Sequence, residues 1–445
     1  MNIGKYFGTD GIRGKVGEFP ITPDFFLKFG FILGNLLFRH SRKKVIVGID
    51  TRKSSFALEA ALNSGLSTSG VSVISLGRIS TPAVGYLTKL LKLELGIIIS
   101  ASHNLFQDNG IKLFFKNGVK ISSKLKKIEN SLGKPFSFKN LSNFSSIKRA
   151  YSIHKKYITF CKSLFPRCFS LKNFKIVLDC ANGSTYKIAP KIFRDFGARL
   201  RVIFASPNGY NINKNCGSVN TNNLKNIVLL EKADFGLALD GDGDRVIMID
   251  HLGNKVDGDK ILYILAKFYL FRHFKKEGVV VTKMSNRGLL IGLKKLGIPF
   301  AISKVGDVNV IKKLKDKNWR FGAESSGHVI MLDKLPFCDG IVTSLQIIKI
   351  MIDYRMNLFE LCSEIRFFPF VMINIKFERQ NYLLKYEKIR ILIFKYQNIL
   401  SKFGRIYLRE SGTETCFRII VEDEDKNVVK YISDQIKEKV KHIGI

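Results

Sequence analysis

The sequence has no apolar run long enough to cross a membrane. Its most apolar stretch, Phe25 to Phe38, is broken by Lys28 and Asn35 and falls short of the ~20 residues a span requires. The first residues, Met1-Asn2-Ile3-Gly4-Lys5, carry no apolar core of the kind that directs export, which argues for a cytoplasmic location. No Cys-x-x-Cys pair occurs. The cysteines, at 161, 168, 180, 216, 338, 362 and 416, are odd in number and scattered, as expected of reduced thiols rather than a disulfide framework.

Acidic residues are scarce. Against 37 Asp+Glu stand 73 Lys+Arg, a net charge of +36. Such an excess suits a nucleic-acid surface, but here it has no focus. The lysines fall in twos and threes (Lys124, Lys126, Lys127; Lys275, Lys276; Lys312, Lys313), with no basic tail and no aromatic-interleaved stripe. Lysine, asparagine, isoleucine and phenylalanine, all with AT-rich codons, are abundant. The excess therefore reads as compositional drift, with neither a nucleic-acid nor a membrane partner expected. A positive field would still favour capture of a dianionic ligand.

With 445 residues, 46% of them hydrophobic and 25% charged, the chain is a soluble globular protein too long for one core. Short β-rich runs alternate with helical patterns, which predicts α/β units. Strands are expected at Lys44–Ile49, Val71–Leu76, Leu95–Ser100, Lys175–Asp179, Phe235–Leu239, Val246–Asp250, Val279–Thr282 and Phe300–Ser303. Helices are expected at Ser54–Leu66, Ile261–Phe271 and Arg287–Leu296. From about Phe367 the pattern changes: a strand (Val371–Phe377), a helical stretch, two short strands around Ser411–Thr415 and a helix from Lys426. The expected organisation is three related α/β domains (1–150, 151–254, 255–366) and a smaller C-terminal α+β domain (367–445), with no low-complexity linker between them.

Four clusters of polar residues carry the chemistry. In the first, the apolar run Ile97-Ile98-Ile99 ends in Ser100-Ala101-Ser102-His103-Asn104, followed by an Asp108-Asn109-Gly110 turn and Lys112. Ser102 thus sits beyond the carboxyl end of a strand, where open α/β sheets gather ligands. A serine there is ordinarily a turn or cap residue, and no Gly-x-Ser-x-Gly elbow makes it a hydrolase nucleophile. In the second, Asp240-Gly241-Asp242-Gly243-Asp244-Arg245 hangs from an apolar strand. Its glycines let three carboxylates converge on one hard cation. It is no EF-hand, since the sixth position is Arg245 and the twelfth His251. A serine phosphate would supply the further oxygen that Mg²⁺ prefers. In the third, Glu324, Ser326 and His328 can bond sugar hydroxyls or merely form a polar loop. In the fourth, Ser411-Gly412-Thr413 can offer backbone N–H groups to a phosphate, with Arg409 and Arg418 as charge-assisted forks; a hairpin turn with exposed arginines is the bland alternative.

These four loops, in this order, resemble those of the α-D-phosphohexomutases. Phe7-Gly8-Thr9-Asp10-Gly11-Ile12-Arg13-Gly14 matches the same family, as do Asp179-Cys180-Ala181-Asn182-Gly183, Asn211-Ile212-Asn213, Cys216-Gly217-Ser218, Met284-Ser285-Asn286 and Val246-Ile247-Met248. The resemblance covers essentially the whole chain and points to the hexosamine-phosphate branch. It implies that the loops of all four domains face a central cleft. It implies a phosphorylated Ser102, one Mg²⁺ per subunit held by Ser102, Asp240, Asp242 and Asp244, and a glucosamine 1,6-bisphosphate intermediate. Arg13, His103, Lys112 and His328 would contact the phosphoryl group or move protons. Glu324 and Ser326 would hold the sugar, and Arg409, Ser411, Gly412, Thr413 and Arg418 its distal phosphate. A phosphomannomutase/phosphoglucomutase would share all of this. A non-catalytic phosphosugar or nucleic-acid binder is opposed by the intact serine and aspartates. Leu105 and Thr415 replace loop prolines of the family, Ala323 and Cys338 replace glycines, and Val308-Asn309 stands where Arg-Tyr is usual. Losing the two prolines raises the entropy of the unfolded chain and loosens the loops.

Overall fold

Among the described residues the strands form four sheets, each built where β-rich apolar runs meet turn residues. The computed structural model describes residues 6–8, 11–37, 44–118, 124–133, 144–270, 277–376, 382–410 and 416–442. Two compact units result, 1–284 with 298–363 and 285–297 with 364–445.

The first unit holds three sheets. One has β1 (Ile12–Lys15), β2 (Lys44–Ile49), β3 (Ser72–Arg78), β4 (Leu95–Ile99), β5 (Asp108–Phe115) and β6 (Ile147–Arg149), in the order β1-β5-β4-β2-β3-β6. Strands β2, β3, β4 and β6 run parallel, while β5 is antiparallel to both β4 and β1. Every residue of β4 is buried, which is why its sequence is unbroken Leu-Gly-Ile-Ile-Ile rather than alternating. Phe26, Phe29 and Leu33 of helix Pro23–Leu37 join Leu58, Leu62 and Leu66 of helix Ser54–Thr68 against Val45, Val47 and Ile97. Each such side chain contributes about 2 kcal/mol on burial.

The second sheet contains β7 (Lys175–Asp179), β8 (Arg199–Ile203), β9 (Phe235–Leu239), β10 (Val246–Asp250) and β11 (Lys255–Val256), ordered β11-β10-β9-β7-β8. The third contains β12 (Val279–Thr282), β13 (Phe300–Ser303), β14 (Phe321–Ala323) and β15 (Val329–Met331), ordered β13-β12-β14-β15. Both pair parallel strands with an antiparallel excursion, and that excursion carries a polar loop at its tip: β9 to β10, and β14 to β15. Helix Gly340–Tyr354 is capped by Asp339, whose side chain accepts from the N–H groups of Ile341 and Val342. Among the described residues no helix is long and apolar enough to cross a membrane.

In the second unit, β16 (Phe370–Lys376), β17 (Arg405–Glu410) and β18 (Cys416–Glu422) form an antiparallel sheet in the order β16-β18-β17. Helices Tyr382–Gln397 and Lys426–His442 bring Ile389, Ile432 and Ile436 onto Ile373, Phe417, Ile419 and Val421. The α/β reading for three segments and α+β for the last matches these elements.

Several local expectations need correction. Asp108-Asn109-Gly110 is no turn but the start of β5. Its polar side chains are used rather than exposed: Asn109 Nδ2 donates to the Ser54 and Ser55 hydroxyls. The helix expected at Ile261–Phe271 begins earlier, at Gly258, because Asp257 caps it, and it passes into a π-helix at Leu265–Leu270. The two strands near Ser411–Thr415 are six and seven residues long, and residues 411–415 lie outside the described residues.

Candidate active site

Ser102 lies three residues past β4, fully buried, with φ +52°. A left-handed serine is uncommon and costs about 1–3 kcal/mol, so its surroundings must hold it. Its N–H donates to Ser100 Oγ (3.0 Å), and its Oγ donates to Asp240 Oδ2 (2.6 Å).

Asp240, Asp242 and Asp244 follow the buried strand β9 and are themselves 0–1% exposed. Their nearest carboxylate oxygens all lie within 4.8 Å of one another. The glycines between them are sterically required. A Cβ on Gly241 would stand 2.6 Å from Ser102 O, and Gly243 has φ +79° with Thr185 Cγ2 only 2.4 Å from a built Cβ. Asp240 Oδ1 accepts from the N–H groups of Gly243 and Arg245. Burial, then repulsion from Asp242 and Asp244, pushes the Asp240 carboxyl up to about 7.

Cations answer part of this charge. Lys112, on β5 and 2% exposed, reaches Asp242 Oδ2 at 2.7 Å and Asp244 Oδ2 at 2.8 Å. Thr81 Oγ1 donates to the same Asp242 oxygen at 2.5 Å. The other, Asp242 Oδ1, is buried without a hydrogen-bond partner among the described residues. An orphaned carboxylate oxygen is costly in a dry site. Three convergent carboxylates, one with a spare oxygen, and a serine hydroxyl against a second fit a hard divalent cation.

The sugar-loop residues join from the β14–β15 turn. His328 Nε2 is 3.0 Å from Asp244 Oδ1, and its Nδ1 is 2.8 Å from Glu324 Oε2. Burial and Arg245 lower the basicity of the ring, but Asp244 and Glu324 outweigh them and lift it to about 9. The two carboxylates that flank the ring favour its charged form. Arg245 Nε also lies 3.1 Å from His328 Nε2, within hydrogen-bond distance. Burial raises the Glu324 carboxyl, but the hydrogen bond and charge of His328 bring it below the usual range. Glu324 Oε1 also accepts from the Gly306 N–H at 2.7 Å. Ser326 is exposed at the tip of the turn.

The remaining expected residues fall as follows. Arg13 lies on β1 opposite Gly110, its stem 3.0 Å from the position of a Cβ there. His103 follows Ser102 directly and is half-buried. Arg409 and Arg418 are register partners on β17 and β18, in the second unit. Ser411, Gly412 and Thr413 lie outside the described residues. Thus Ser102, Lys112, the three aspartates, Glu324 and His328 form one connected network. Four further residues bond to this network or to Ser100 beside it and were given no role from the sequence: Asp50 and Arg52, Thr81, and Asn213, which was named only within a family-matching segment. The Asp50-Thr51-Arg52 cluster at the end of β2 was the available signal, as polar residues beyond parallel strand ends gather at sites.

Comparison with known proteins identifies the family. Models of the phosphoglucomutase/phosphomannomutase α/β/α domains I, II and III match residues 4–137, 155–253 and 257–367. A phosphoglucosamine mutase of Buchnera aphidicola subsp. Baizongia pistaciae is 55% identical, covering 94% of this chain and 92% of the relative. That of Erwinia tasmaniensis is 48% identical across 100% of both. Among solved structures, a Burkholderia thailandensis phosphoglucomutase/phosphomannomutase family protein superposes with a TM-score of 0.78 at 22% identity, over 98% of this chain and 97% of that one. Aspergillus fumigatus N-acetylphosphoglucosamine mutase, solved with GlcNAc-6P and magnesium, gives 0.68 at 16% identity, over 99% and 96%. The chain belongs to the phosphoglucomutase/phosphomannomutase family, the α-D-phosphohexomutases, and is similar over nearly its whole length to the phosphoglucosamine mutases within it.

Proposed function

We propose that this protein interconverts glucosamine 6-phosphate and glucosamine 1-phosphate, with Ser102 as the phosphoryl carrier. The observation that carries the reading is the Ser102 hydroxyl, 2.6 Å from a carboxylate of the aspartate triad. Full-length similarity to phosphoglucosamine mutases supports the choice of sugar.

In this reading Asp240, Asp242, Asp244 and the phosphate on Ser102 would hold Mg²⁺, which would supply positive charge beside the transferring group. The Ser102 phosphate passes to the free hydroxyl of the substrate: the Ser102 Oγ–P bond breaks, an O–P bond to the sugar forms, and the proton lost by the sugar hydroxyl ends on Ser102 Oγ. The product is glucosamine 1,6-bisphosphate, whose other phosphate returns to Ser102 after the sugar reorients. Lys112, already between two of the carboxylates, supplies positive charge beside the transfer. His328, between Asp244 and Glu324, is the residue this reading assigns to the proton transfer. Arg13 and His103 contact the transferring phosphoryl group. Glu324 and Ser326 hold the sugar, and Arg409, Ser411, Gly412, Thr413 and Arg418 hold its distal phosphate. The reaction belongs to the cytoplasm and to amino-sugar synthesis for the cell wall.

A coupled assay on glucosamine, glucose and mannose phosphates tests the reading. The expected result is a kcat/KM highest for glucosamine phosphate. Preference for mannose or glucose phosphate would replace it with a phosphomannomutase or phosphoglucomutase.

A further inference from the structure

We infer that Arg52 and Asn213 are positioning residues that hold the Ser102 loop in its transfer geometry. The inference rests on Ser102 being the phosphoryl carrier. Arg52 is fully buried, paired with the equally buried Asp50 through Nε at 2.8 Å. Its other nitrogens go to loop carbonyls: Nη2 to Ser102 O (3.1 Å) and Asn104 O (2.9 Å), Nη1 to Leu105 O. Asn213 comes from a different sheet's loops, yet its Nδ2 donates to two of the same carbonyls, Ser102 O and Asn104 O, at 2.8 Å each. The turn is thus gripped from two sides.

The need for such a grip follows from the loop itself. Ser102 sits at φ +52°, a conformation a non-glycine residue keeps only when its surroundings over-determine it. Position 105 is leucine, half-exposed, so no proline ring stiffens the turn. Hydrogen bonds to the carbonyls of Ser102, Asn104 and Leu105 restrain the turn. Asp50 in turn accepts from Arg52 Nε, Ser55 Oγ and Ser100 Oγ, and Ser100 Oγ accepts from the Ser102 N–H. The guanidinium is therefore anchored at one end and spent on the loop at the other. Lysine cannot replace it, since a single ammonium offers no planar fork to three carbonyls.

Neither residue bonds a carboxylate of the triad or a residue of the sugar loop, so loss of either should move kcat and leave KM nearly alone. An ångström of misplacement costs about 10²-fold in rate. The test compares wild type, Arg52→Lys and Asn213→Ala. Each is assayed for Ser102 phosphate by intact mass, then for kcat, KM and Mg²⁺ affinity at a temperature where melting curves show it folded. The expected result is a kcat lower by about 10²-fold for Arg52→Lys and about tenfold for Asn213→Ala, with KM and Mg²⁺ affinity within about twofold. If Arg52→Lys does not fold, Asn213→Ala decides. A folded Asn213→Ala with wild-type kcat, or with kcat unchanged and KM raised, overturns the inference. A wild-type protein whose turnover proceeds without phosphate on Ser102 overturns the carrier reading instead, and the inference with it.

Discussion

Replacing Lys112 by methionine removes one charge from the centre of the network and little volume. The ammonium lies 2.7 and 2.8 Å from two carboxylates in a site 0–2% exposed, so solvent cannot take its place. Breaking an exposed pair would cost under about 1 kcal/mol, whereas stranding buried charge costs about 3–5 kcal/mol. Three carboxylates within 4.8 Å of each other make the upper part of that range the better guide. At roughly 2 °C per kcal/mol for a large domain, metal-free Lys112→Met should melt roughly 8 °C below wild type. Magnesium should then stabilise the variant more than wild type, because Mg²⁺ no longer competes with the ammonium for Asp242 and Asp244. Thermal melts in chelator and in millimolar Mg²⁺ measure both quantities. Equal melting temperatures in chelator would refute the reasoning, since Lys112 would then not be the counter-charge of the triad.

Two other outcomes follow from the network and its edge. Glu324→Gln keeps one acceptor for two donors, Gly306 N–H and His328 Nδ1, and removes a charge that can favour the substrate ammonium. It should lower kcat/KM for glucosamine phosphate about 10–100-fold, and less for glucose phosphate; equal losses would show that the loop holds the ring generically. Asp339 accepts from the buried Tyr157 hydroxyl at 2.6 Å, and burial pushes its carboxyl from 3.8 to about 6. Because the fold raises this acid, its contribution to stability is full below the ordinary value and is lost as pH rises through about 6. Asp339→Asn keeps the helix cap and should remove that fall, gaining up to about 3 kcal/mol on wild type between pH 4 and 7.5 in urea unfolding. A constant gap between the two proteins would contradict it.

The strands were legible where burial is complete. Lys175–Asp179, Phe235–Leu239, Val246–Asp250 and Val279–Thr282 lie where their apolar runs placed them, because a strand covered on both faces needs no alternation to declare it. Strand β5 was hidden because Asp108-Asn109-Gly110 has the composition of a turn, and only the distant serines 54 and 55 explain a buried asparagine there. The start of the helix at Gly258 was hidden for a similar reason, as the cap Asp257 looks like any loop aspartate. In the site, alternating aspartate and glycine revealed the triad, since few structures need that spacing. Thr81, bonded across 161 positions to Asp242, gives no local sign of its role, and the segment Asn211-Ile212-Asn213 showed a family match but not the bond of Asn213 across 111 positions to Ser102. Their function exists only once the first and second sheets are placed together.

The most direct measurement is the mass of the intact protein, purified without phosphatase treatment, set beside turnover of Ser102→Ala. The account predicts one phosphate on the wild-type chain, localised to Ser102, transferable to glucosamine 1- or 6-phosphate, and absent from the variant, which should show no turnover. An unphosphorylated wild type that turns over without a sugar bisphosphate, or a Ser102→Ala protein that interconverts the two phosphates at the wild-type rate, would contradict it.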